Sequence, residues 1–242
     1  MKDKEIRILS TRPLDSALIE KAAFQHIRID AKSFIEIKKL ITSRVAEEIE
    51  QLSKIPATVV FTSMNAVEVV VDVLPVNEVM PAWKIYCLGG ATFTLVKKYW
   101  NYENVVFTAK NAAELAEKIA EDKVAKVTFF CGNMRREELP VLLSQKNVAL
   151  NELVVYETIE TPSAVNVDYD AILFFSPSAV HSFFSANQSP AHTVLFAIGA
   201  TTANAIKQCS SNRVIVGDFP ARDQLVDNAI NYFAEKTPAN DQ

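Results

Sequence analysis

Glycine is scarce in this chain, five in 242 residues, and none stands in a GxGxxG or GxxxxGK[ST] pattern. A nucleotide-phosphate cradle therefore has no support in the sequence. Three cysteines, Cys87, Cys131 and Cys209, lie far apart with no CxxC pair. That spacing argues against a disulfide framework or a zinc site and points to a reducing compartment. The three histidines, His26, His181 and His192, show no metal-ligand spacing, and no GxSxG elbow surrounds any serine. Positive charge is not in excess, with a net charge of −4 and a pI near 5.5. This is a poor basis for nucleic-acid binding, although a local cationic cleft remains open. No apolar run approaches the roughly 20 residues of a membrane span. The opening MKDKEIRILS has no signal-peptide core. A cytoplasmic protein with no membrane partner is the expectation.

What the chain does have is a repeated pattern. Residues 59–70, VVFTSMNAVEVV, and 172–183, ILFFSPSAVHSF, are each a β-rich apolar run that stops at a serine and turns into a helical pattern. Ser63 and Ser176 occupy the switch, 113 residues apart, where a hydroxyl caps the first free amides of a helix. Downstream, 85–96 matches 195–206, with Gly89 over Gly199 and Thr92 over Thr202, and 105–115 parallels 214–225. A period near 110 residues is the size of a small domain and too long for a solenoid. Two similar α/β domains follow, and 49% hydrophobic residues suffice for two cores.

The order of elements interrupts one domain with the other. Residues 27–37 and 151–161 both read as extended segments that precede a repeated block, so they are expected to join the domains. If the strand and helix over 6–26 complete the sheet of the second repeat, the middle of the chain is an insertion.

Strand ends at Ser63, Gly89, Gly132, Ser176 and Gly199 are each expected to deliver a helix N-terminus, with free amides and partial positive charge. One such turn is usually capping alone. Five on facing lobes point to a cleft for a ligand carrying several carboxylates or phosphates. Arg12 lies on the loop after the first strand, at the edge where open α/β sheets bind ligands. The helix after Cys131-Gly132-Asn133 is expected to open with two arginines and two glutamates, and Cys131 reads as a buried, inert thiol.

The motifs STRP (10–13), FIEI (34–37), FTSMNAV (61–67), CLGGAT (87–92), CGNMRREELP (131–140), VVYET (154–158), FFSPSAV (174–180) and AIGATT (197–202) occur in this order. In these the chain resembles the uroporphyrinogen-III synthase family along nearly its whole length. The resemblance implies two flavodoxin-like α/β domains with parallel sheets, joined by a two-stranded linker. Residues 1–30 with 160–242 would form one domain and 37–152 the inserted other, with 31–36 and 153–159 as linker strands. It also implies a cofactor-free and metal-free lyase, expected to be a monomer, that closes linear hydroxymethylbilane to uroporphyrinogen III with loss of water and inversion of ring D. The substrate's eight carboxylates would suit helix N-termini and a few arginines.

On the family's pattern, Tyr156 is the candidate proton or hydrogen-bond donor to the departing hydroxyl. Ser63, Thr92, Ser176 and Thr202, with Ser178 and Thr201 beside them, would bind acetate and propionate groups. Arg12, Asn65, Asn133, Arg135 and Arg136 are further binding candidates, and Arg136 could instead pair along its own helix. Three departures stand out: Met64 where proline is common, Asn147 where a glycine often ends a helix, and Ala221 where a threonine often follows Pro220. The competing reading is a non-catalytic, two-lobed binding protein for an anionic metabolite.

Overall fold

The computed structural model describes residues 5–74, 80–217 and 222–235; Ala221 and the polar tail beyond Glu235 lie outside them. In chain order the elements are β1 (Ile6–Ser10), α1 (Ser16–Ala23), β2 (Ile27–Ala31), β3 (Ile35–Lys39), α2 (Ser43–Ser53), β4 (Thr58–Phe61), α3 (Met64–Val73), β5 (Lys84–Leu88), α4 (Ala91–Tyr99), β6 (Val105–Ala109), α5 (Ala112–Glu121), β7 (Lys126–Gly132), α6 (Glu138–Gln145), β8 (Ala149–Glu160), β9 (Ala171–Phe174), α7 (Pro177–Ala186), β10 (Val194–Ala197), α8 (Ala200–Cys209), β11 (Val214–Val216) and α9 (Arg222–Ala234). They form two compact units, Met1–Glu36 with Ile159–Gln242, and Ile37–Thr158. The chain passes between them within β3 and within β8.

Each unit is built on five parallel strands, the central ones buried on both faces. In the first, strands stand in the order β11-β10-β9-β1-β2; in the second, β6-β5-β4-β7-β8, with β3 at the edge beside β8. The strand sequences explain the burial. AILF (β9) and VLFA (β10) are buried at every position, and so are the last three residues of TVVF (β4). Such continuous apolar runs suit strands with helices on both faces. One face of the first sheet buries Ile8, Leu173 and Phe196 with Leu225 and Ile230, and the other buries Leu9, Ile172 and Phe174 with Phe34 and Phe183. In the second unit Phe61, Phe130, Trp83 and Trp100 gather on one face, and Phe129, Leu115 and Leu143 on the other.

The two sheets have one spatial layout written in two chain orders. β9, β10 and β11 take the places of β4, β5 and β6, which is the repeat seen in the sequence, while β1 and β2 take those of β7 and β8. Counted within the first unit the order is 2-1-3-4-5, the flavodoxin order; in the second it is the permuted 3-2-1-4-5.

One expectation is corrected. Residues 27–37 are two strands in different sheets, separated by a corner at 32–34. Phe34 is fully buried in the first unit's core, Ser33 Oγ donates to the Ile35 carbonyl (2.6 Å) and the Lys32 amide donates to the Ser10 carbonyl (2.9 Å). The alternation carried by Ile27, Ile29, Ala31, Ile35 and Ile37 runs in one phase across the corner and hides it; Phe34, an apolar residue on the polar phase, is its one mark in the sequence.

Helix starts follow local chemistry. Thr42, Ser63, Asn111 and Ser176 are N-caps whose side chains accept amides of Val45, Asn65, Glu114 and Ala179. Asn147 has φ 57°, the left-handed conformation that asparagine tolerates.

Phe130 stacks on Phe61 at 5.2 Å between centroids and lies 5.8 Å from Trp83. Phe130→Ala is expected to destabilise the chain by about 3–5 kcal/mol through the cavity it leaves, measured as a fall in the urea midpoint with the folded circular dichroism retained below it.

Candidate functional site

In an open parallel sheet all strand carboxyl ends share one edge, and ligands settle where neighbouring strands lead away in opposite directions. That switch lies between β9 and β1 in the first unit and between β4 and β7 in the second.

In the second unit the switch gathers Ser63, Asn65, Gly132 and Tyr156. Ser63 Oγ accepts the Asn65 amide at 3.2 Å and opens α3. Across the switch Tyr156 lies against Gly132, so close that a Cβ on Gly132 would stand 2.5 Å from ring atoms Cε2 and Cζ. Burial pushes the Tyr156 phenol above the ordinary tyrosine range, and the neighbouring Cys131 adds to this; hydrogen bonds with Ser63 and Asn65 pull the other way. The phenol is thus neutral at physiological pH, a standing O–H donor beside a helix start. In the next turn, Gly90 takes φ 69°, which favours glycine, and puts Thr92, buried, in the first turn of α4.

The turn after β7 departs from expectation. α6 begins at Glu138, so Arg135 and Arg136 precede it, Arg136 has no helix of its own to pair along, and Gly132 does not lead straight into a helix start. Pro140 accounts for this: at the third helical position its missing N–H costs nothing, whereas a helix begun near Met134 would place proline in its interior. Within the turn, the Asn133 amide donates to the Tyr156 carbonyl (3.1 Å) and its Oδ1 accepts the Thr158 amide (2.8 Å). Arg135 pairs with Glu152 and with Glu137 (2.6 Å), while Arg136 is exposed. Glu152 was missed by sequence reading, because it is one of three glutamates on β8 and nothing local sets it apart.

In the first unit the switch gathers Arg12, Ser176 and Ser178. Ser176 Oγ accepts the Ala179 amide (3.2 Å) and lies 3.1 Å from Ser178 Oγ, with Pro177 opening the helix. Thr11 anchors the opposite loop by donating to the Leu173 carbonyl through both its amide (3.1 Å) and its hydroxyl (2.8 Å). Arg12 then stands over the Phe175 ring at 5.7 Å. Burial, then the nearby Arg222, lower its pKa against a smaller contribution from Asp15. A cation pressed in this way favours an arriving anion. Gly199 caps α8, whose first turn holds exposed Thr201 and buried Thr202.

No group of three or more His, Cys, Asp or Glu among the described residues is arranged to hold a metal ion, and no described helix is long and apolar enough to cross a membrane. A hollow of the second unit, about 620 Å³ and lined by Thr58, Lys84, Tyr86, Lys123 and Lys126, is at the opposite, amino end of the strands. Its lysines accompany the carboxyl end of α5, which favours cations, so the convergent polar groups and not this hollow mark the site.

A family model described as uroporphyrinogen-III synthase HemD matches residues 17–227. Among solved structures, a mutant uroporphyrinogen III synthase from the extremely thermophilic bacterium Thermus thermophilus is similar with a TM-score of 0.65 at 13% identity, over 96% of this chain and 99% of that one. A uroporphyrinogen-III synthetase from Helicobacter pylori is similar with a TM-score of 0.62 at 15% identity, over 94% and 99%.

Cys87 and Cys131 are buried, and burial is the main force that pushes each thiol up to about 11; Cys209 is exposed. At pH 8 about one thiol in a thousand would be ionised at either buried position. A disulfide reagent is expected to titrate one thiol in the native protein and three in denaturant, and rapid native reaction of two or more would contradict the burial.

Proposed function

This chain belongs to the uroporphyrinogen-III synthase family of cyclising lyases, and we propose that its substrate is linear hydroxymethylbilane, closed to uroporphyrinogen III with loss of water and inversion of ring D. The observation that carries the residue assignment is the convergence of Tyr156, Ser63 and Asn65 at the second unit's switch.

The chemistry needs little from an acid. Electron release from the pyrrole breaks the terminal C–O bond and leaves an azafulvene cation. The departing oxygen takes a proton from the phenol and leaves as water. Attack through the substituted carbon of ring D gives a spiro intermediate, which opens and recloses. The proton lost as the ring system regains aromaticity restores the phenol, so the sum is substrate to product plus water. A phenol held neutral by burial keeps its proton for this step at any physiological pH.

Binding falls to the turns. Amides and hydroxyls at Ser63, Asn65 and Thr92 in one unit and at Ser176, Ser178, Thr201 and Thr202 in the other are suited to acetate and propionate groups. Arg12 supplies a desolvated cation and Arg136 an exposed one. Arg135, already matched by Glu137 and Glu152, serves the site by fixing its turn, and Asn133 borders it. Holding one conformer of a flexible bilane is the main catalytic contribution. We place the enzyme in the cytoplasm as a monomer, in keeping with its three free cysteines.

Purified protein added to fresh hydroxymethylbilane is expected to give, after oxidation, uroporphyrin isomer III in proportion to enzyme; isomer I alone at the blank's rate would overturn the assignment. Tyr156→Phe is expected to slow turnover by about 100-fold with an unchanged unfolding midpoint. Unaltered kinetics would remove the phenol from the mechanism.

A further inference from the structure

Tyr156 reaches the start of α3 only because the sheet slips beneath it. β7 and β8 run in regular parallel register through Cys131↔Val154, and then Gly132 pairs with Tyr156, so that one step on β7 spans two on β8. Along β8, Leu153 and Val155 pack into the core that contains α3, whereas Val154 packs on the opposite face with the core of α5. Strict alternation would send Tyr156 to the face of Val154, away from Ser63 and Asn65. Instead Tyr156 packs on the α3 face, like Val155. A bulge of this kind re-aims a side chain.

Two residues of the β7 turn make the slip possible. Gly132 supplies the space, since a Cβ there would lie 2.5 Å from Cε2 and Cζ and 2.9 Å from the phenolic oxygen. Its backbone does not require glycine, because Gly90 is the only described glycine with φ in the left-handed range. The ring alone excludes a side chain. Asn133 fixes the slipped register by gripping β8 on both sides of Glu157, its amide donating to the Tyr156 carbonyl (3.1 Å) and its Oδ1 accepting the Thr158 amide (2.8 Å). From the other side, the Leu40 amide donates to the carbonyl of the extra residue, Val155, at 2.9 Å. We infer that Gly132 and Asn133 are positioning residues that aim the Tyr156 phenol at the Ser63 turn by holding a bulged register between β7 and β8. The inference deepens the proposed function and rests on Tyr156 as the hydrogen donor.

Two cycles on the full-length protein test it. In the stability cycle, Gly132→Ala is expected to lower the melting temperature when Tyr156 is present and to have no cost in a Tyr156→Ser background, where the ring is gone and alanine restricts the unfolded chain. In the kinetic cycle, Gly132→Ala is expected to lower kcat at least tenfold with KM within twofold, and to change kcat less than twofold when added to Tyr156→Phe. Asn133→Ala should lower kcat in the same way, and Asn133→Asp, which keeps the acceptor for the Thr158 amide, should recover most of that loss at saturating substrate. A Gly132→Ala cost that persists without the tyrosine ring, or a Gly132→Ala enzyme with normal kcat while Tyr156→Phe is slow, would overturn the inference. If Tyr156→Phe alone turned over normally, the donor role would fall, while relief of the Gly132→Ala cost by Tyr156→Ser would still support the aiming.

Discussion

A parallel sheet buried on both faces puts every strand's carboxyl end along one edge, and the rest of each unit follows from that constraint. The helices that return the chain must all start at this edge, so their free amides and partial positive charges collect there without any cost in charged residues. This is how a chain with a net charge of −4 can present surfaces suited to carboxylates. The apolar runs at β4, β9 and β10 are therefore as much a part of the site as Ser63 or Ser176: they compel the parallel arrangement that places those serines.

The shared layout of the two sheets, permuted in chain order, also explains an asymmetry between the units. The β7 turn of the second unit carries Gly132 and Asn133 and abuts Tyr156, while the corresponding β1 loop of the first unit carries Thr11 and Arg12. One switch offers a neutral hydrogen donor and the other a desolvated cation over an aromatic ring. The proposed loss of water from a polycarboxylate draws on a proton donor and on cations. One scaffold supplies them by changing a few loop residues, since the sheet already fixes where each loop emerges.

Electrostatic pairing settles which charged residues remain open to a ligand. Arg135 was as promising as Arg12 on sequence alone, yet Glu137 and Glu152 neutralise it. Arg12 gains no such compensation from its surroundings, where burial and Arg222 outweigh Asp15. The distinction depends on Glu152, seventeen residues downstream of Arg135, being brought beside it by the parallel pairing of β7 and β8.

By itself the sequence determined what local chemistry dictates: the strand-to-helix turns at Ser63 and Ser176, the caps they make, the apolar strands, the repeat, and the completion of the first sheet by residues from the chain's start. Each of these follows from residues within a few positions of one another, or from a pattern copied along the chain. Only the tertiary structure decided the corner at Phe34, the late start of α6, the capture of Arg135 by Glu152 and the aim of Tyr156. The first is set by burial in a core built from distant strands, and the third by a partner seventeen residues away. The last turns on a slip of one residue between neighbouring strands, and nothing in VVYET records whether its tyrosine faces α3 or α5. Alternation along one strand has no memory of the register in which the next strand will bind it.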